Sequence, residues 1–499
     1  MAFANPAIAA AAVVVAAAVF AETAPSVTEA PAPKKAPPPP IVLAVDPSEE
    51  IGPVKCMNAV NNGPAVPPKA GDQPRGNFAA YKAARIPYAR THDSVNCVSG
   101  GAHCVDITAI FPDFDADETN PENYDFCFTD TYLDAIRRAG TEVFFRLGQT
   151  IEHGPKKYGA MPPKDYAKWA RICEHVIRHY NEGWADGFRW NIVYWEIWNE
   201  PDLDCENGRW AKNPRTWGGP EEEFFKFYAT AAKHLKGRFP HLKIGGPANA
   251  GRFDWATRFF TYMRDNNVPI DFFSWHIYSN LSINIAAKCR KAREKMDSFG
   301  YTKAESILNE WNYVDGWTDT WIHSLRAMSG DLNLKSAAFC ASVMNACQDE
   351  PLDMLMYYDA KSGSGMNGLF DKTTLWPMKG YYPFYAWAKL VDRGTQVRAS
   401  FSGAPVDRWG DVNFRAVAAK GGDGSLAVFV SRYHHDANVF ADKKVALSVP
   451  GYDAARATCH LTDICHTYTE VPLDVGEDGA ARIVLQPLSF ALVEYPPAK

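Results

Sequence analysis

Long runs of one charge sign are missing from this chain of 499 residues, whose formal charge is -6. Nothing electrostatic therefore attracts nucleic acid or a charged membrane surface. Zinc-site spacing is absent too, although there are 11 cysteines, and no metal or other cofactor is expected. The apolar run at residues 7–20 is too short for an ordinary membrane span. No solenoid repeat is visible. One glycosylation triplet occurs, Asn280-Leu281-Ser282.

What is present is length and apolar content. At 46% hydrophobic the chain buries a large core, and it is too long for one ordinary domain unless that domain is a barrel with an appendage. Residues 1–21 read as an export signal, since a small-apolar run ends at Ala21. The basic segment that usually precedes such a run is missing, which keeps an anchor or other targeting segment as the alternative. Residues 22–40 are a Pro/Ala-rich linker of extended polyproline type. The expected location is secreted or cell-envelope. Cys97 with Cys104 and Cys459 with Cys465 are close pairs in polar, loop-like sequence and are the candidate disulfides, whereas Cys173, Cys340 and Cys347 sit in helical patterns and read as buried thiols.

Strand-like and helix-like segments alternate over residues 81–393, the rhythm of a (β/α)8 TIM barrel of the α/β class. Candidate strands are 84–91, 106–111, 142–147, 191–198, 242–245, 271–276, 306–308 and 354–358. Tyr166, Trp169, Ala170, Cys173, Val176, Ile177 and Tyr180 repeat at helical spacing behind Pro162-Pro163, as do Phe224, Phe227, Tyr228, Ala231 and Leu235. Both stripes read as core. Residues 394–499 change to short alternating segments separated by Gly, Asp and Pro, the pattern of an accessory antiparallel β-sandwich. Within the N-terminal segment 41–80, residues 41–44 read as a further strand of that sandwich.

Two stretches carry chemistry. Tyr194-Trp195-Glu196-Ile197-Trp198-Asn199-Glu200-Pro201 and Ile307-Leu308-Asn309-Glu310-Trp311-Asn312 each place a glutamate after an asparagine at the end of an apolar β-type run. In a barrel of this kind Glu200 closes the fourth strand and Glu310 the seventh, at one mouth. Two carboxyls, one kept protonated and one ionised, are the minimum equipment for breaking a glycosidic bond. A carbohydrate substrate is the expected partner. The 15 tryptophans then have two uses, core filling and stacking against sugar rings.

With these motifs the chain resembles glycoside hydrolase family 39, the β-xylosidase and α-L-iduronidase family. Arg90-Thr91-His92, Tyr124-Asp125-Phe126, Gly245-Gly246-Pro247, Ser274-Trp275-His276-Ile277-Tyr278 and Glu310-Trp311-Asn312 also carry the resemblance, over residues 85–390. It implies a retaining mechanism with Glu200 as general acid/base and Glu310 as nucleophile. It further implies that Asn199 bonds the sugar 2-hydroxyl, that His92 binds sugar, and that His276 and Tyr278 touch the sugar and the nucleophile. Trp311, Asp359 and Trp376 are further candidate substrate-binding residues, Asp359 and Trp376 as walls of the pocket. Gln149, Glu152 and His153 either line subsites or are solvated loop groups. Glu196, Asp202 and Asp204 read as structural. The iduronidase branch carries a basic residue where this chain has Tyr278, which favours a neutral pyranoside and an exo-acting, β-xylosidase-like enzyme. An endo-acting glycanase, a uronidase and an inactive carbohydrate-binding protein are the alternatives.

Overall fold

A computed structural model describes residues 39–65, 76–93, 103–205, 208–316, 333–361, 364, 366–436 and 438–497. The expected leader, most of the linker and Cys97 lie outside the described residues. Strand β1 (Ile41–Pro53) is followed by β2 (Cys56–Asn61), β3 (Tyr88–Arg90), β4 (Glu142–Leu147), β5 (Tyr194–Ile197), β6 (Lys243–Asn249), β7 (Phe272–Ser279), β8 (Glu305–Tyr313) and β9 (Met354–Tyr357). From β2 to β9 they close into a parallel barrel.

Two strand expectations are corrected. The barrel opens at Cys56, not at residue 81, because the segment Cys56–Asn61 is its first strand. Its buried asparagines hide the apolar pattern. They are satisfied inside, Asn58 Nδ2 donating to the Ala84 carbonyl (3.1 Å) and Asn61 Nδ2 to that of Asn309 (2.7 Å). The β-branched run at 106–111 forms no strand but a turn of helix, Ile107–Ile110. Asp106 is held by Arg146 Nη2 (2.6 Å) and the His103 N–H (2.9 Å), and the Ile107 N–H goes to the Gly148 carbonyl (3.0 Å) instead of a ladder. The two errors cancel in the count, so Glu200 still follows the fourth strand and Glu310 lies on the seventh.

Ala59, Phe144, Tyr194, Phe272, Ile307, Met354 and Met356 plug the lower barrel with an apolar layer. Outside it, helices Tyr166–Asn181 and Glu221–Arg238 bury the predicted stripes, with Trp169 edge-on to Phe227 at 4.6 Å. Each large apolar side chain so buried contributes about 1.5–3 kcal/mol. Cys173, Cys340 and Cys347 are buried, as their helical pattern requires. Among the described residues no helix is long and apolar enough to cross a membrane.

The remaining strands are β10 (Thr395–Ser402), β11 (Phe414–Lys420), β12 (Leu426–Tyr433), β13 (Lys443–Ser448), β14 (Thr458–Thr462), β15 (Thr469–Val471), β16 (Asp474–Val475), β17 (Ala481–Leu485) and β18 (Leu488–Tyr495). With β1 they hydrogen-bond as one ten-stranded sheet in the order β15-β14-β18-β12-β11-β10-β1-β13-β17-β16. It is mostly antiparallel, but β1 runs parallel to β13. The sheet curls over its own core, since Leu461 of β14 and Val445 of β13 share one buried cluster. Strand β12 serves two cores through its period of two. Leu426, Val428 and Val430 face the sheet's own core, while Ala427 and Phe429 join the barrel's, with Phe429 edge-on to Trp387.

The candidate disulfide Cys459–Cys465 is not formed. Cys459 points from β14 into the sheet core, where burial pushes its thiol up to about 12. Cys465 is exposed in a turn built on Asp463, whose Oδ1 accepts the Cys465 and His466 N–H groups, each at 2.8 Å.

Candidate active site

Strand β5 ends in an abrupt change of course. Trp198 and Glu200 both adopt left-handed backbone, φ +75° and +50°, which costs non-glycine residues strain unless their surroundings hold them. The surroundings do hold them. The Trp198 N–H bonds the Leu147 carbonyl (2.7 Å), its indole N–H the Thr216 carbonyl (2.9 Å), and the Glu200 N–H the Ala248 carbonyl (2.9 Å). Next door, Gly246 at φ +132° lies against β5 so closely that a Cβ would stand 2.7 Å from the Ile197 carbonyl oxygen. The result is a Glu200 carboxyl aimed into the barrel mouth and 7% exposed.

Glu310 comes from the middle of β8, on the inward face. Tyr278 of β7 donates its hydroxyl to Glu310 Oε1, and Arg90 Nη1 lies 3.3 Å from Oε2. The imidazoles of His92 (Nε2, 3.5 Å) and His276 (Nδ1, 3.6 Å) also face Oε2. Burial raises the Tyr278 hydroxyl well above its ordinary range, which keeps it a donor.

Arg90 organises the floor beneath both carboxylates. Its guanidinium donates to Glu196 Oε2 (2.7 Å), Asn61 Oδ1 (3.0 Å) and Asn199 Oδ1 (2.7 Å) besides Glu310. Glu196 is completed by Ser274 Oγ at 2.6 Å and Asn309 Nδ2 at 2.5 Å. A fully buried arginine with all these acceptors is a paired charge, and breaking such a pair costs about 3–5 kcal/mol. Arg90, Asn61 and Ser274 were not read as site residues in the sequence, although Arg90 and Ser274 stand inside the quoted motifs.

Glu200 has a different environment. His276 Nδ1 is 2.8 Å from its Oε1. Burial drives its carboxyl up to about 7, against the pull of His92, Arg90 and Arg215. His276 is pushed down to about 4, chiefly by burial, so its ring is neutral at ordinary pH. Glu200, His276 and Glu310 present one atom each within 4.8 Å of one another. The same trio is the one group among the described residues able to hold a metal ion, but the Arg90 guanidinium beside Glu310 would oppose a cation there.

Other expected residues fall on both sides. Asn199 is buried, its Nδ2 without a partner. Arg90 can only donate, so the amide must turn its oxygen to the guanidinium and leave the NH2 for a ligand. His92 is buried and bonds Asp93 Oδ1 through Nδ1 (2.9 Å), while Tyr358 donates to Asp93 Oδ2. Asp359 follows β9, bonds Asn62 Nδ2 (2.9 Å), and is raised by burial to about 7. Trp311 does not face the carboxylates: its ring is buried against Phe339 of helix Leu334–Cys347 and Tyr357 of β9. Trp376 is 73% exposed, and no ring contact or bond ties it to the carboxylates. Gln149 lines a separate cavity of about 280 Å3 with Phe111, Tyr158, Met161 and Trp198. Glu152 holds the N–H groups of Tyr158, Gly159 and Ala160, and His153 is exposed. Asp204 takes the Arg215 (2.5 Å) and Thr216 (2.8 Å) N–H groups, and Asp202 that of Ala250 (2.8 Å), the structural duties expected of them.

A β-xylosidase of Geobacillus stearothermophilus is 29% identical over 187 residues, 35% of this chain and 34% of that one. Another, from Caldicellulosiruptor saccharolyticus, is 30% identical over 185 residues, 35% of each chain. The chain thus aligns with about a third of the length of these relatives. In fold it is similar to a glucosidase from Croceicoccus marinus, with a TM-score of 0.71 at 21% identity over 92% of this chain and 100% of the other. Residues 70–349, which include both glutamates, match the profile described as glycosyl hydrolases family 39, and the chain belongs to that family.

Proposed function

We propose that this protein is a retaining, exo-acting glycosidase for neutral pyranosides, with Glu310 as nucleophile and Glu200 as general acid/base. The observation that carries the reading is two carboxylates with atoms within 4.8 Å of each other and unlike partners. Retaining enzymes hold their carboxyls about 5–5.5 Å apart, too close for an intervening water. In the first step Glu310 attacks the anomeric carbon while the Glu200 proton passes to the departing oxygen. In the second, Glu200 takes a proton from water, whose oxygen displaces Glu310 and releases the sugar. The unpartnered Asn199 Nδ2 suits a bond to the sugar 2-hydroxyl that tightens in the transition state.

Neutral substrates are favoured because the Tyr278 hydroxyl is committed to Glu310 and offers no positive charge to a uronate. The relatives named β-xylosidase support exo action on xylosides, and the fold likeness to a glucosidase keeps glucosides in range. The leader-like residues 7–20 support export as part of the same reading. The test is a panel of 4-nitrophenyl β-xyloside, β-glucoside, α-arabinoside and the matching uronides beside polymeric xylan. Turnover of a neutral glycoside with kcat/KM about a thousandfold above its uronide is expected. Equal rates on the uronide, or internal cleavage of polymer alone, would overturn it.

A further inference from the structure

Helix Ser282–Ser298 begins three residues after Ser279, the last of β7, and carries no cap of its own: Leu281 stands at the cap position and the first turn has no acid. Free N–H groups at a helix start need an acceptor. Here the acceptor comes from the sheet. Asp411, 2% exposed on the connection between β10 and β11, takes the Ser282 N–H at 2.9 Å, the Ile283 N–H at 3.4 Å and the Ser282 hydroxyl at 3.0 Å. Arg415 of β11 locks that carboxylate through Nη2 (2.8 Å) and reaches the Ser282 hydroxyl through Nε (3.3 Å). Tyr433, the last residue of β12, donates its hydroxyl to the Asn280 carbonyl at 2.6 Å. The Asn280 amide donates in turn to Asp315 Oδ1 (2.6 Å), just beyond β8.

The chain is therefore pinned from the sheet at Asn280 and Ser282, two and four residues beyond Tyr278. Tyr278 is the residue that bonds Glu310. We infer that Asp411 and Tyr433 are positioning residues for catalysis: the sheet domain clamps the end of β7 so that the Tyr278 hydroxyl meets Glu310 at one fixed place. The inference rests on the reading of Glu310 as nucleophile. It gives the sheet a catalytic purpose beyond covering helices, since catalytic geometry tolerates little looseness.

The full-length protein tests it in three variants, Asp411→Ala, Tyr433→Phe and, as control, Asp423→Ala, which loses the two turn bonds that Asp423 accepts from the Ser425 N–H and hydroxyl in the sheet. Two readouts are needed, steady-state kinetics on the best neutral glycoside and amide hydrogen exchange of residues 278–284 without substrate. Asp411→Ala is expected to exchange faster there and to lose about tenfold in kcat with KM within about twofold. Tyr433→Phe shows the same pattern more weakly, and Asp423→Ala neither effect. Wild-type exchange, or faster exchange with wild-type kcat, overturns the inference. If Asp411→Ala does not fold, Tyr433→Phe decides by the same criteria. A wild-type protein inactive on every glycoside, whose variants still exchange faster, would refute the catalytic reading of Glu310 while leaving the clamp in place.

Discussion

Glu200 and Glu310 share one mouth of the barrel, yet the chain treats them oppositely. Glu310 sits at a register shift of β8, with a phenol and a guanidinium turned toward it. Glu200 sits on strained backbone with one imidazole at hydrogen-bond distance, and burial raises it to about 7. The difference teaches what the proposed division of labour draws on: burial with few donors favours the protonated form of Glu200, whereas Glu310 is given a phenol and a guanidinium as donors.

The contrast breaks most sharply on removing the proposed nucleophile. Glu310→Ala should lower kcat by about 10^5 or more on every glycoside, acidic leaving group or not, read in single-turnover and steady-state assays. Glu200→Ala should cost about 10^2–10^4 on poor leaving groups and much less on dinitrophenyl glycosides, which leave without a proton. Equal losses on both substrates would erase the division of roles. Tyr278→Phe removes one donor from Glu310 and should cost about 10–100-fold in kcat with the fold intact by circular dichroism. The smallest effect is a matter of pH. Glu200 must be protonated to act as acid, so kcat/KM should fall as pH rises through about 7, and Glu200→Gln should abolish that limb.

Much of this was legible in the sequence, for reasons that particular residues show. Glu200 and Glu310 stand out because a glutamate in a Trp-rich apolar run is costly unless employed. The amphipathic helices were plain because Trp169 to Tyr180 keep one period throughout. Strand β2 was hidden because Asn58 and Asn61 are buried, satisfied by carbonyls far away in sequence. The run at 106–111 misled because β-branched residues are only a weak guide where Asp106 finds Arg146. Trp311 was misassigned because a register shift at Asn309–Glu310 interrupts the strand's alternation, which leaves the side of its neighbour unreadable from spacing. The Arg90 floor and the sheet clamp unite segments separated by more than a hundred residues, which no local pattern announces.

The stereochemistry of the first product tests the central claim most directly. Proton NMR of the sugar released in the first minutes, before mutarotation, should show the anomer of the substrate, because two carboxyls this close leave no place for a water between them. The opposite anomer appearing first would contradict the account.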